Sequence, residues 1–105
     1  MIETRKIKAG NWVEDEVVVR DDIRELDDLT YHHITIEGRD VKATVRVYHN
    51  VPEDGVDAYL TVPEHDWNLP IFHFDDGAWV VSHNSIAREA TDPITVAVQL
   101  ICNLI

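Results

Sequence analysis

Residues 31–49, YHHITIEGRDVKATVRVYH, decide the fold. On both sides of Gly38 apolar residues alternate with polar ones, which is the period-two pattern of a half-buried strand. A loop at Gly38-Arg39 would place Ile34 opposite Ala43, so that the apolar side chains share one face of the pair. The stretch therefore predicts an antiparallel hairpin with one apolar and one polar face.

Two further segments extend this pattern along the chain. A two-residue loop at Gly10-Asn11 would set Lys6 across from Asp15, and opposite charges at facing positions favour a hairpin. Residues 56–62 alternate again, with their apolar side chains on one side. Both segments predict additional strands of an antiparallel sheet.

The aromatic residues of the second half predict another hairpin, over residues 71–82. Asp76-Gly77 is typical of a two-residue turn between strands. That register pairs aromatic and β-branched side chains on one face, namely Phe72, Phe74, Trp79 and Val81. We expect this face to form the centre of the core, because stacked aromatic pairs bury the most apolar area.

Residues 21–29 predict a short acidic helix or a turn. Asp22 stands three residues before Glu25, which is the spacing of a capping box, and apolar residues follow at helical spacing. Asp27 and Asp28 would lie at the negative end of the helix dipole, so we expect the helix to end there.

The last segment, residues 94–105, fits the period of a strand and the period of a helix equally well. Asp92-Pro93 favours the helix, because an acidic N-cap followed by proline is a helix start and a proline would remove a donor from a central strand. A strand remains the alternative.

A helix over these residues would be apolar around most of its circumference. Its polar arc is only Thr95, Gln99 and Asn103, and Val96 and Leu100 lie off the main core stripe. A helix of this kind is buried on two sides or shared with another chain. The pattern predicts a homodimer through Val96 and Leu100.

Together these elements predict an α+β fold: one domain over residues 1–105, with an antiparallel sheet of five to seven strands built from hairpins. The short acidic helix and the C-terminal helix would pack on one face of the sheet. The chain has 9 Lys+Arg against 20 Asp+Glu, a formal charge of −11. This balance argues against direct binding to nucleic acid or to anionic membranes. A single cysteine and no apolar leader predict a cytoplasmic protein without disulfides.

The acidic residues near the N-terminus are the main candidate for a binding site. Eight carboxylates stand within fifteen residues: Glu14, Asp15, Glu16, Asp21, Asp22, Glu25, Asp27 and Asp28. They predict a non-enzymatic interaction protein, a small acidic inhibitor or regulator that binds a basic, nucleic-acid-binding surface of a partner protein. The alternative is a stable acidic domain of a halophile with no charge-specific partner.

Six histidines support a second alternative, a small metal-binding protein or His-dependent enzyme. His65, His73 and His83 surround the predicted aromatic hairpin, with Asp66 and Asp75 close in sequence. No pair has the spacing of metal ligands on one strand, and the usual catalytic motifs are missing from the sequence. The sequence therefore predicts no cofactor, no metal site and no catalytic residue.

Overall fold

The computed structural model describes residues 1–9, 13–50 and 52–105. In this part of the chain, eight antiparallel strands follow one another in a single sheet, in the order of the sequence. The strands are β1 (Ile2–Ala9), β2 (Val13–Glu25), β3 (Leu29–Ile36), β4 (Lys42–Tyr48), β5 (Ala58–Val62), β6 (Trp67–His73), β7 (Trp79–His83) and β8 (Ile86–Ala90). One α-helix, α1 (Pro93–Leu104), follows the sheet. The predicted α+β class is confirmed, with more strands than the five to seven predicted.

The predicted hairpin of residues 31–49 is confirmed together with its strand register. Its predicted loop is not, because the central residues of the turn are Glu37 and Gly38 rather than Gly38 and Arg39. Ile34 pairs with Ala43 and His32 pairs with Val45. Gly38 adopts a φ of 83°, and the Arg39 N–H donates to the Ile36 carbonyl at 3.1 Å. This is the geometry of a type II turn, which needs a residue that tolerates positive φ at its third position.

The prediction of a short helix over residues 21–29 is wrong. Residues up to Glu25 belong to β2, and a tight turn follows in which the Leu26 N–H donates to the Leu29 carbonyl at 2.9 Å. The first half of β2 pairs with β1 and the second half pairs with β3. The ladder of backbone hydrogen bonds between residues 21–25 and β3 outweighs the local preference for a capping box, which is worth about 1 kcal/mol.

Two predicted registers are shifted by one residue. Lys6 pairs with Glu16 rather than Asp15, and the predicted turn at Gly10-Asn11 lies outside the described residues. A shift of one residue places side chains that were predicted to share a face on opposite faces of the sheet. In the hairpin of residues 71–82, this shift changes which side chains are buried.

The hairpin between β6 and β7 has a three-residue loop, residues 75–77. The Phe74 N–H donates to the Ala78 carbonyl at 2.8 Å, and Gly77 has a φ of 92°. This is a type I turn followed by a left-handed glycine, a common alternative to the two-residue turn. As a result, Ile71 pairs with Val81 in the core, and the predicted core residues Phe72 and Phe74 are 39% and 53% exposed.

The predicted C-terminal helix is confirmed, and it lies on the concave side of the curled sheet. Asp92 caps it by accepting a hydrogen bond from the Thr95 N–H at 2.8 Å. The helix contacts strands at both edges of the sheet, β1 and β8, and also β4 and β7. Val96 and Leu100 are fully buried by the chain's own sheet. These two side chains therefore lie in the core and cannot form the predicted dimer interface. Dimerisation itself stays a prediction.

The polar arc of α1 faces the gap between the two edge strands. Thr95 accepts a hydrogen bond from Arg5 of β1 at 2.8 Å. The Gln99 amide accepts from the Lys8 N–H of β1 at 3.1 Å and donates to the Glu89 carbonyl of β8 at 2.9 Å. We call this gap, between β1 and β8, the seam. Gln99 thus joins the two edge strands across the seam.

Candidate functional site

The connections of an up-and-down sheet alternate between its two ends, and this alternation collects acidic loops at one of them. The β2–β3, β4–β5 and β6–β7 connections and the β8–α1 connection share one end. These four connections contain no lysine or arginine. Their carboxylates are Asp27, Asp28, Glu53, Asp54, Asp57, Asp75, Asp76 and Asp92. We call this end of the sheet the acidic end.

Two of these connections are tied into one surface by His49. Its backbone N–H donates to the Asp28 carbonyl at 3.0 Å, and its Nδ1 lies 3.1 Å from the Asp27 carbonyl. A carbonyl only accepts, so Nδ1 carries a proton. Nε2 lies 2.8 Å from the Thr30 hydroxyl. The β2–β3 turn and the β4–β5 loop therefore have a fixed relative position.

Exposed apolar side chains accompany these carboxylates. Leu26 and Phe74 lie in the acidic loops themselves, at 42% and 53% exposure. Ile23 and Phe72 stand on the strands that lead into the same loops, and both are also exposed. Large exposed apolar side chains among polar residues are the groups that a partner protein removes from water on binding.

Several loop carboxylates also hold their own turns. Asp54 accepts from the Val56 N–H at 3.0 Å and from the Tyr59 hydroxyl at 2.9 Å. The bond to Asp54 raises the pKa of Tyr59 above its ordinary value of 10.0. Asp57 and Asp76 likewise accept backbone N–H groups, at 2.7 and 2.9 Å. The turns therefore fix the carboxylates in place and leave them on the surface.

The eight predicted binding residues do not form one site. Because β2 is a strand, Glu14 and Glu25 are eleven residues of extended chain apart, roughly 35 Å at about 3.3 Å per residue. Glu14, Asp15 and Glu16 lie at the end of the sheet opposite the acidic end. Glu25, Asp27 and Asp28 lie at the acidic end, and Asp22 is exposed on β2, 3.2 Å from Arg20.

Asp21, the remaining predicted residue, is buried. Its side chain is 4% exposed, and its two oxygens lie 3.1 and 3.0 Å from Nδ1 of His32 on the neighbouring strand. This carboxylate points to the concave side of the sheet, so it contacts the core rather than a partner.

The carboxylates of the β4–β5 and β6–β7 loops were not among the binding residues predicted from the sequence. Glu53, Asp54, Asp75 and Asp76 belong to the turn signals themselves, where aspartate beside glycine is expected for conformational reasons. The order of the hairpins could have grouped these carboxylates with Asp27 and Asp28, because every second connection of an antiparallel meander lies at the same end of the sheet.

The histidines are divided between aromatic partners. His65 and His83 lie on either side of Trp67, with ring centroids 6.1 and 4.9 Å away. His73 stacks on Trp79 at 4.1 Å. Within the described ranges, no three or more His, Cys, Asp or Glu side chains are grouped as a metal site requires.

No protein-family model, curated protein or solved structure matches this chain. Among the helices of the described residues, none is long and apolar enough to span a membrane.

Proposed function

We propose that this protein is a non-enzymatic interaction protein whose acidic end binds a basic surface of a partner protein. The partner surface is one that itself contacts nucleic acid, so that the protein acts as an inhibitor or regulator. Its free Cys102 and its acidic composition fit a cytoplasmic setting. The observation that carries the proposal is the grouping of carboxylates and exposed apolar side chains on the loops of one end.

The two kinds of residue have different tasks in such an interface. Carboxylates at the rim attract a basic partner and raise the association rate, an effect that salt screens over about 10 Å. Apolar side chains such as Leu26 and Phe74 supply surface that is removed from water on binding, worth about 25 cal/mol per Å². Carboxylates alone would serve solubility; the apolar groups among them favour binding.

The two ends of the sheet provide a matched pair of variants for the test. The first variant, Asp27→Asn with Asp28→Asn, removes two charges at the acidic end. The second, Asp15→Asn with Glu16→Gln, removes two charges at the opposite end. Proteins captured by the wild type are identified, and the partner is then purified and its binding kinetics measured for all three proteins over a range of salt.

We expect the acidic-end variant to lower the association rate and its salt dependence, with the opposite-end variant close to wild type. Phe74→Ser should raise the dissociation rate, because it removes apolar contact rather than charge. Equal effects of the two charge variants would mean that net charge alone is responsible, and the proposed site would be wrong. A protein with no such partner, whose stability rises steadily with salt, would be the acidic domain of a halophile instead.

A further inference from the structure

The seam between β1 and β8 contains a cavity of about 620 Å³. One wall is β1, with Lys6 and Lys8, and the other is β8 together with the Asp76–Ala78 loop. Thr95 and Gln99 of α1 form the floor. A volume of this size is in the range of sites that bind small molecules and peptide segments.

The β1 wall presents backbone groups that no other strand of the described residues uses. The Met1 carbonyl accepts from the Asp21 N–H, so the odd-numbered residues of β1 bond to β2. In an antiparallel pair the bonding residues alternate, so Thr4, Lys6 and Lys8 direct their N–H and carbonyl groups away from β2. Lys8 confirms this direction, because its N–H meets Gln99 in the seam.

Gln99 shows what kind of group the seam accepts. Its side-chain amide takes a hydrogen bond from one edge strand and gives one to the other. A peptide group in a strand lying between β1 and β8 would make the same two bonds. At Lys6, one pair of residues further along β1, the described residues supply no equivalent amide.

The charges of the cavity select the sign of the ligand. The cavity is lined by two lysines, Lys6 and Lys8, and by three carboxylates, Glu14, Asp76 and Glu89. The Glu89 carboxylate has no hydrogen bond or ion pair within the described part of the chain, and the Asp76 carboxylate accepts only from the Ala78 N–H. The unbalanced charge of the cavity is therefore negative.

We infer that the seam binds an extended basic peptide segment of another protein. Its backbone pairs with the free edge of β1 at Lys6, and its lysine or arginine side chains reach Glu89 and Asp76. Every second residue of the segment faces Ile7, Ala90 and Thr95, so those positions are small or apolar. The cavity borders the acidic end at Asp76. The inference does not rest on the proposed function, because the surface that pairs with the peptide backbone is the free edge of β1.

The test uses a labelled synthetic peptide of alternating lysine and valine, with the intact protein and fluorescence anisotropy as the readout. A second peptide has the same sequence with N-methyl groups on alternate peptide nitrogens, which removes backbone donors and leaves the charges unchanged. A third replaces lysine by glutamate. We expect binding of the first peptide, at least tenfold weaker binding of the methylated one, and none of the glutamate peptide.

Two protein variants separate backbone pairing from charge. Lys6→Pro removes the N–H that faces the cavity without removing a bond to β2, because that N–H lies on the free side. Lys6→Gln removes the same charge and keeps the N–H. We expect a tenfold loss for the proline variant, a change below about threefold for the glutamine variant, and a severalfold loss for Glu89→Gln.

The inference is overturned if the methylated peptide binds as tightly as the unmodified one, or if a folded Lys6→Pro protein binds as well as Lys6→Gln. The methylated peptide needs no change in the protein, so the test holds even if the proline variant unfolds. The variant Asp27→Asn with Asp28→Asn should keep its affinity for the peptide. If it alone loses binding, the peptide has bound the acidic end and the seam is excluded.

Discussion

Two polar side chains are buried among the described residues, and the protein satisfies them in different ways. Asp21 is 3% exposed and Gln99 is 4% exposed. Asp21 is ionisable and faces a single partner, His32, across the β2–β3 ladder. Gln99 is neutral and uses both ends of its amide to join β1 to β8. A buried carboxylate requires a partner that balances its charge, whereas a buried amide requires only a donor and an acceptor.

This difference predicts that the Asp21 region is the more fragile of the two. Replacing Asp21 by Ala leaves His32 without its partner on the concave face of the sheet. Removing one partner of a buried hydrogen bond typically costs about 1–3 kcal/mol of the free energy of unfolding, and more where the group is charged. We expect a loss of that size, measured from urea unfolding curves.

Asp22→Ala is the matched control, because Asp22 is the next residue of the same strand and its only side-chain bonds are exposed. Exposed pairs such as Asp22 with Arg20 contribute about 0–1 kcal/mol. A double-mutant cycle with His32→Ala should give a coupling above about 1 kcal/mol for Asp21 and none for Asp22. Similar costs for the two aspartates would show that the burial of Asp21 adds nothing to its contribution to stability.

The second largest effect is expected in the seam, for Gln99→Met. Methionine is similar in size but leaves the Lys8 N–H and the Glu89 carbonyl without partners, which typically costs about 1–3 kcal/mol. Hydrogen exchange locates the change. The Lys8 amide should exchange faster, and the Arg5 amide, which bonds to β2, should be unchanged. A cost as large as that of Asp21→Ala would show that neutrality gives no advantage.

The sequence predicted those parts of the fold in which local and long-range preferences agree. The β3–β4 hairpin combines strict alternation with a glycine that the turn requires, and α1 combines Asp92-Pro93 with an apolar run. At Asp22 and Glu25 the local signal is a helix cap, but the pairing of this half of β2 with β3 prevails. No local pattern records that competition.

The functional surfaces were harder to predict for a related reason. The polar arc Thr95, Gln99 and Asn103 is visible in the sequence, but its target is a pair of strands that are far apart along the chain. Likewise, Asp27 and Asp75 share one end of the sheet only because an even number of strands separates their loops. Contacts of this kind depend on strand count and register, and a single changed loop length shifts both.

A carboxylate in the seam region tests whether burial, rather than the number of bonds, sets the cost. Asp92 accepts from the Thr95 N–H, the Thr95 hydroxyl and Arg5, at 2.8, 2.6 and 2.9 Å. Its side chain is nevertheless 40% exposed. Asp92→Ala should cost about 0.5–2 kcal/mol, the usual value of a helix cap, in thermal or urea unfolding. Asp92→Asn keeps the cap acceptor and should cost less.

The smallest expected effect on stability is that of Cys102, which is half-buried on α1. Arg39 only partly offsets the cost of burying its thiolate form. Burial raises the pKa of this thiol above its ordinary value of 9.0, although Arg39 lowers it in part. The folded protein therefore holds the proton at a pH where the unfolded chain has begun to release it. Stability should fall slightly as the pH rises from about 9 through the raised pKa, and then level off. Comparing wild type with Cys102→Ala isolates the contribution of this thiol from that of other titrating groups.

Alkylation of the native thiol at pH 8 should also be severalfold slower than in the unfolded chain. A native rate equal to or above the unfolded rate would show that Arg39 stabilises the thiolate enough to offset its burial.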